Sequence, residues 1–266
     1  MRGYLLLVFV TLIWGTTFPV QKMVIGDVSP LFYNAVRFSI AAAVSYLLWG
    51  KGDWKRGGLL GVILALSYAS QTAGLKLTTS SKNGFFTSIY VVLVPFVSWM
   101  IEGIRPKSNH VAGAVAALIG SYLLAGGVRG FNFGDFLSLL CGVGFAFHVV
   151  LITELSRRTK EEDLLFPQFL LTALMNLLLS SGRWDMNVPA LGVAAYTALA
   201  ATVFGIWVQV KFQKVMGSNT AALIFAGEPV FAMIFSLLML KETFTPSQLV
   251  GAGLLVSSMI LAGVRR

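Results

Sequence analysis

Ten apolar stretches, each about long enough to cross a bilayer, follow one another along this chain with only short polar intervals between them. They cover residues 4–24, 30–49, 57–77, 83–101, 109–126, 134–153, 164–181, 189–211, 218–240 and 245–264. A hydrocarbon core about 30 Å thick takes ~20 predominantly apolar residues per helix. The longest polar interval, 154–163, leaves no room for a soluble domain. The expectation is therefore an all-α membrane protein with ten transmembrane helices, one membrane domain over 1–266. No small-residue cleavage pattern follows the first stretch and similar stretches recur to the last residue, so 4–24 reads as a retained span rather than a secretory signal.

Composition supports lipid as the solvent. Only 12% of the residues are charged, against about 25% in soluble domains. Apolar residues make up 56% before 27 glycines are counted, which leaves too little polar surface to coat a soluble fold. The single cysteine, Cys141, excludes an internal disulfide and a multi-cysteine zinc site, and two histidines, His110 and His148, are too few for a histidine metal centre. No metal and no cofactor is expected.

The net charge of +9 is distributed by side. With the N-terminus in the cytoplasm, the inner loops and ends hold Arg2, Lys51, Lys55, Arg56, Arg105, Lys107, Arg157, Arg158, Lys160, Lys211, Lys214, Arg265 and Arg266. The outer side holds Lys22, Lys76, Lys82, Arg129, Arg183 and Lys241. Thirteen against six satisfies the positive-inside rule, with both termini cytoplasmic and the plasma membrane, in a prokaryote the inner membrane, as the location. Cations spread over many loops also argue against nucleic acid as a partner. The expected partners are a small-molecule substrate and lipid, with the chain acting as a monomer or a homodimer.

A search for internal repeats finds one. A shift of 138 residues lays the segment 76–83 on 214–221 and carries Gln71 onto Gln209, Ser98 onto Ser236 and Gly113 onto Gly251; a shift of about 131 lays Trp14-Gly15 on Phe145-Ala146. Each half, 1–130 and 131–266, holds five spans. Five is odd, so the second half enters the membrane from the opposite side. Two inverted five-helix repeats around a central cavity suit alternating access to a midplane site.

Trp14-Gly15-Thr16-Thr17-Phe18, Arg37, the run from Gln71 to Pro95, Gly227-Glu228-Pro229-Val230 and Leu240-Lys241-Glu242-Thr243 resemble the EamA branch of the drug/metabolite transporter superfamily. The resemblance covers essentially the whole chain. It implies ten helices in two inverted repeats, a central cavity, and export of small metabolites such as amino acids, nucleobases or related amphipathic compounds. One departure is that Gly103-Ile104-Arg105-Pro106 stands where the family's first repeat usually reads Gly-Glu-Arg-Pro, leaving that acid only as Glu242.

Helical spacing nominates the cavity-facing residues independently of any family. Positions i, i+3, i+4 and i+7 share a face, which groups Trp14, Thr17 and Gln21 in the first span, Ser67, Gln71 and Gly74 in the third, and Asn83, Thr87 and Tyr90 in the fourth. The two shifts map Thr17 onto His148, Gln71 onto Gln209 and Tyr90 onto Glu228. The substrate-binding candidates are therefore Trp14, Thr17, Gln21, Ser67, Gln71, Asn83, Thr87, Tyr90, His148, Gln209 and Glu228, with Glu228 and His148 as candidates for proton coupling.

Each candidate carries an alternative. An ionised Glu228 near the midplane costs at least ~2.5 kcal/mol, so it reads as a substrate-amine contact or proton site, or as a structural acid beside Pro229. His148, Gln71 and Gln209 read equally as interhelical hydrogen-bond glue. Arg37, seven residues from the outer end of its helix, reads as a side chain snorkelling to the headgroups. Lys22, Lys76 and Lys82 read as partners of lipid phosphate. Gly57 with Gly61, Gly113 with Ala117, Gly142 with Ala146, and Ala41-Ala42-Ala43 mark close helix packing, and Pro19, Pro95 and Pro229 mark bends.

Two other classes are weighed against a carrier. An intramembrane enzyme needs a constellation, and Gly-x-Ser-x-Gly, His-Glu-x-x-His, a phosphate-binding loop and a second midplane acid beside Glu228 are all missing, so no catalytic residue is assigned. A passive channel or facilitator for small solutes is the nearer alternative, and it differs in showing no saturable exchange.

Overall fold

The computed structural model describes residues 2–127, 130–241 and 243–263; Arg129, Glu242, Val264, Arg265 and Arg266 lie outside the described residues. Every regular element among those described is helical. In chain order these are α1 (Arg2–Ile25), α2 (Pro30–Trp49), α3 (Trp54–Leu77), α4 (Ser80–Ser88), α5 (Tyr90–Glu102), α6 (Ser108–Leu124), α7 (Phe133–Ser156), a 3₁₀ turn (Glu162–Leu164) and α8 (Leu165–Leu179). Then come α9 (Val188–Tyr196), a π-helical stretch (Thr197–Phe204), α10 (Gly205–Met216), α11 (Ser218–Phe225), α12 (Glu228–Leu240) and α13 (Pro246–Gly263).

Local sequence sets where these helices start. Ser29, Asp53, Thr79, Asn132 and Asn187 each cap an N-terminus by accepting a backbone N–H, with Asn132 and Asp135 forming a reciprocal capping box. Eight helical segments are long and apolar enough to cross a membrane. The sequence's fifth and tenth spans are shorter apolar helices, and at 1.5 Å per residue the 17 residues of α6 reach about 26 Å. These two pack on each other. A Cβ on Gly251 would lie 2.6 Å from the Gly120 carbonyl, so glycine is what allows the approach.

Two spans are broken, and the breaks correspond. Ile89 separates α4 from α5, and Ala226-Gly227 separates α11 from α12. At the first, the N–H groups of Val92 and Leu93 both return to the Ile89 carbonyl, at 3.0 and 3.3 Å; at the second, those of Val230 and Phe231 both return to Gly227, also at 3.0 and 3.3 Å. Every residue in the second set lies 138 positions after its counterpart. Prolines close by, Pro95 and Pro229, remove donors that would otherwise continue the ladder. Tyr90 and Glu228 are thus each the first residue of a half-helix.

Packing pairs the two halves throughout. α3 lies against α7 and α8, α2 against α8 and the π-helical stretch, α1 against α10 and α12, and α4 and α5 against α7. Buried amides stitch these contacts: Asn34 Nδ2 donates to the Tyr68 carbonyl at 2.9 Å and to Asn176 Oδ1 at 3.2 Å, while Asn176 Nδ2 reaches Ala65.

The lysines expected to meet lipid phosphate are turned inward instead. Lys22 Nζ donates to the carbonyls of Leu75 (2.6 Å) and Thr78 (2.7 Å), and Lys76 Nζ to Val28 (3.0 Å). Lys82 pairs with Asp135 at 2.7 Å and donates to Gly130. Free carbonyls at helix C-termini attract cations, and here they are close enough to take lysine side chains from neighbouring elements.

Candidate functional site

A cavity lies where the two halves meet. The first half supplies Trp14, Thr17, Arg37, Leu64, Tyr68, Gln71 and Tyr90; the second supplies Phe145, His148, Val149, Ile206, Gln209, Phe225 and Glu228. Apolar walls with a few polar ends are the usual make-up of small-molecule sites. Aromatic rings form the walls by edge contacts: Trp14 on Phe225 at 5.0 Å, Tyr68 on Phe145 at 5.4 Å and Tyr90 on Phe145 at 6.5 Å.

The polar groups divide into those already bonded and those open. Trp14 Nε1 donates to the Ala201 carbonyl at 2.8 Å, and Thr17 Oγ1 to the Trp14 carbonyl. His148 Nε2 lies 3.3 Å from Gln168 Oε1, and Gln209 Nε2 donates to Gln213 Oε1 at 2.9 Å. The Glu228 carboxyl, the Gln71 amide and the Tyr90 hydroxyl have no hydrogen-bond partner among the described residues and line the cavity. Among the described residues no three His, Cys, Asp or Glu side chains come together to hold a metal ion.

The EamA-like transporter family model matches this chain twice, over residues 1–126 and 132–264. The chain belongs to the EamA-like transporter family. An Archaeoglobus fulgidus relative named an uncharacterized transporter is 37% identical over 97% of this chain and 85% of its own. The Bacillus subtilis uncharacterized transporter YvbV is 24% identical over 99% of this chain and 92% of its own. A crystal structure described only as that of a protein superposes with a TM-score of 0.81 at 20% identity, covering 98% of this chain and 96% of that one; that likeness bears on the fold. This EamA-family protein is accordingly a multi-pass membrane protein whose relatives are transporters.

Of the eleven side chains nominated from sequence, Trp14, Thr17, Gln71, Tyr90, His148, Gln209 and Glu228 line the cavity. Four do not. Gln21, one turn beyond Thr17, is buried with its Nε2 on the Thr17 carbonyl at 3.0 Å. Ser67 bonds back to Ile63 and lines instead an apolar groove between α3 and α7. Asn83 clamps α4 to its neighbours, its Nδ2 reaching the Gln71 carbonyl at 3.1 Å and Ser138 Oγ at 2.7 Å. Thr87 is buried in the last turn of α4, before the break at Ile89, where its carbonyl lies against Gly142. The break rotates α5 relative to α4, so one stripe does not run through both.

The snorkelling expected of Arg37 is overturned: its side chain is 1% exposed and reaches the cavity. Tyr68 is a further lining residue outside the nominated set. Glu228 is also not the only acid buried within the helices. Asp135 is fully buried against Lys82 and Thr78, and Glu102, with a 1% exposed side chain, accepts from Ser98, Ser218 and Arg157. Both stand at helix ends beside a cation, where the charge is neutralised; Glu228 alone of the three faces the cavity.

Proposed function

We propose that this EamA-family protein is a secondary transporter, working as an exporter of small metabolites by alternating access between two inverted five-span repeats, 1–130 and 131–266. The observation that carries the reading is the matched pair of helix breaks, each placing a polar residue, Tyr90 or Glu228, at the start of a half-helix that lines the cavity. Broken helices at a repeat interface are where carriers build substrate sites. The pairing of helices supports the same reading, since exchanging the two halves turns the α3–α7 contact into α10–α1 and the α5–α7 contact into α12–α1. So does the double match of the family model.

In this reading the eight long segments and the two shorter helices α6 and α13 make ten spans, with both termini cytoplasmic and lipid around a monomer or homodimer in the plasma membrane. Amphipathic substrates, amino acids and nucleobases among them, suit aromatic walls interrupted by amide, hydroxyl and charged ends. Glu228 meets a cationic substrate group or carries the coupling proton, and His148, already bonded to Gln168, takes the lesser part. The test is counterflow in proteoliposomes loaded with candidate metabolites. Saturable, substrate-accelerated exchange supports a carrier; flux that rises linearly with concentration and shows no counterflow overturns it in favour of a channel.

A further inference from the structure

Arg37 is the one permanently cationic side chain that lines the cavity, and its surroundings fix it while leaving one nitrogen free. Nε donates to Thr202 Oγ1 at 2.9 Å and Nη2 to the Tyr68 hydroxyl at 3.4 Å. The guanidinium carbon stands 4.6 Å from the Tyr68 ring centroid and 5.2 Å from that of Phe38. Nη1 is buried with no hydrogen-bond partner. Arg37 makes no direct ion pair with Glu228 or any other described carboxylate. A buried, charged donor left open is costly unless a ligand completes it.

The anchor on the other side of this guanidinium is unusual backbone. Thr202 sits in the π-helical stretch, where its hydroxyl donates to the Thr197 carbonyl five residues back at 3.0 Å while accepting from Arg37. The same stretch leaves the Ala201 carbonyl to take the Trp14 indole N–H. Tyr33 of α2, one turn before Arg37, holds Thr197 Oγ1 at 2.9 Å. Helical segments of this kind occur frequently at functional sites, and this one sets the orientation of two cavity side chains at once.

We infer that Arg37 is the anion anchor of the cavity, its Nη1 binding a carboxylate of the transported solute, and that Thr202 is its positioning residue. The inference rests on the cavity being the substrate site, and deepens that reading by giving the substrate a required group. Guanidinium–carboxylate bonds are charge-assisted and directional, which makes them a source of discrimination as well as affinity. Because Glu228 lines the same cavity, a solute with a cationic group beside its carboxylate fits better than a bare anion.

The test is site-resolved labelling of the purified full chain in proteoliposomes with phenylglyoxal, an arginine-selective dicarbonyl, read by mass spectrometry. The protecting probes are leucine and 4-methylvalerate, with isoamylamine as the matched compound lacking a carboxylate. Arg37 is expected to label, leucine to slow labelling by on the order of tenfold, 4-methylvalerate less, and isoamylamine hardly at all. Thr202→Val is expected to weaken leucine protection while leaving isoamylamine unchanged, a shift in discrimination that mere loss of stability does not produce. Arg37→Lys, which keeps the charge but not the fork, is expected to keep insertion and lose most discrimination in counterflow. An unlabelled Arg37, or protection indifferent to the carboxylate, overturns the anchor. Carboxylate-dependent protection without counterflow removes the carrier reading and keeps the anchor. Arg37-independent counterflow of solutes that carry no anionic group keeps the carrier and removes the anchor.

Discussion

Gly15 is a point of close approach between α1 and the half-helix that begins with Glu228, and adding one methyl there should damage both packing and transport. A Cβ built on Gly15 lies 2.5 Å from Phe231 Cβ, 2.9 Å from the Ala232 amide nitrogen and 2.9 Å from the Glu228 carbonyl oxygen. Two of these are backbone atoms, so no rotamer change relieves them, and α12 must move away as a unit. Overpacking of this kind costs about 1–3 kcal/mol, offset in part by the roughly 0.5–1 kcal/mol that alanine gains over glycine within a helix. The expected net loss for Gly15→Ala is therefore about 1–2 kcal/mol. Titrating the purified protein from mixed micelles with SDS measures the loss, and counterflow measures transport on the same preparation. Gly192→Ala, in α9 where a Cβ meets nothing within 4 Å, is the control and should be neutral or slightly stabilising. If Gly15→Ala matches this control in unfolding midpoint and in exchange, the close α1–α12 contact is not what holds Glu228 in place.

Four further outcomes are expected. Glu228→Gln, which mimics the protonated acid, should erase the response of transport to an imposed pH gradient while keeping downhill exchange; wild-type transport indifferent to that gradient removes the proton role. Asp135→Asn should lower the unfolding free energy measured in SDS by about 2 kcal/mol, less than the 3–5 of a fully buried pair because the Lys82 side chain is 14% exposed and also bonded to Gly130; no change refutes the clamp. Asp53→Ala, removing the α3 cap, should cost about 1 kcal/mol. Bonds from the Arg56 backbone and side chain hold Asp53 below the usual carboxylate range, so its contribution is fully present at neutral pH and is lost as the pH falls through its folded value, below about 3.9; a mutant–wild-type difference that grows on acidification contradicts this. With Cys141 replaced, cysteines near Lys160 should label from the inside and those near Arg183 from the outside, and labelling of both from one side breaks the ten-span topology.

Most of the cavity was legible because two sequence signals of different kind converged on it. The residues paired by the repeat shifts, Thr17 with His148, Gln71 with Gln209 and Tyr90 with Glu228, all line the cavity. Residues added only because they share a helical stripe fared differently: Gln21, Ser67, Asn83 and Thr87 are all bonded or packed elsewhere. A stripe extends along its helix past the depth of the cavity, and it cannot register the break at Ile89. Arg37 was misread for another reason. Its distance from the helix end allows snorkelling, and only the packed structure shows Phe38, Tyr68 and Thr202 enclosing it; the available signal was a lone charge well inside an apolar stretch, which in lipid marks a functional residue by default. The inward lysines were hidden because the carbonyls they meet belong to distant elements.

The π-helical stretch is where the two halves stop matching. Its counterpart under the 138-residue shift, residues 59–66, lies within the uninterrupted helix α3. Residues 59–66 carry no hydroxyl to match Thr202, and the carbonyls of Gly61 and Ala65 take Thr172 and Asn176, which do not line the cavity; the two side chains that Thr202 and the Ala201 carbonyl hold, Arg37 and Trp14, both come from the first half. On the proposed cycle, the symmetric features, paired breaks and exchanged helix contacts, supply two equivalent ways of opening. They cannot by themselves favour one orientation of a bound solute, because a symmetric site presents the same groups to both faces. A guanidinium contributed by one half and positioned by an irregular segment of the other makes the cavity polar along one direction. Restoring regular helix by deleting one residue from 197–204 should therefore misplace Arg37 and Trp14 together. Loss of carboxylate discrimination with membrane insertion intact is the expected result, and unchanged discrimination would separate the π-helical stretch from the site.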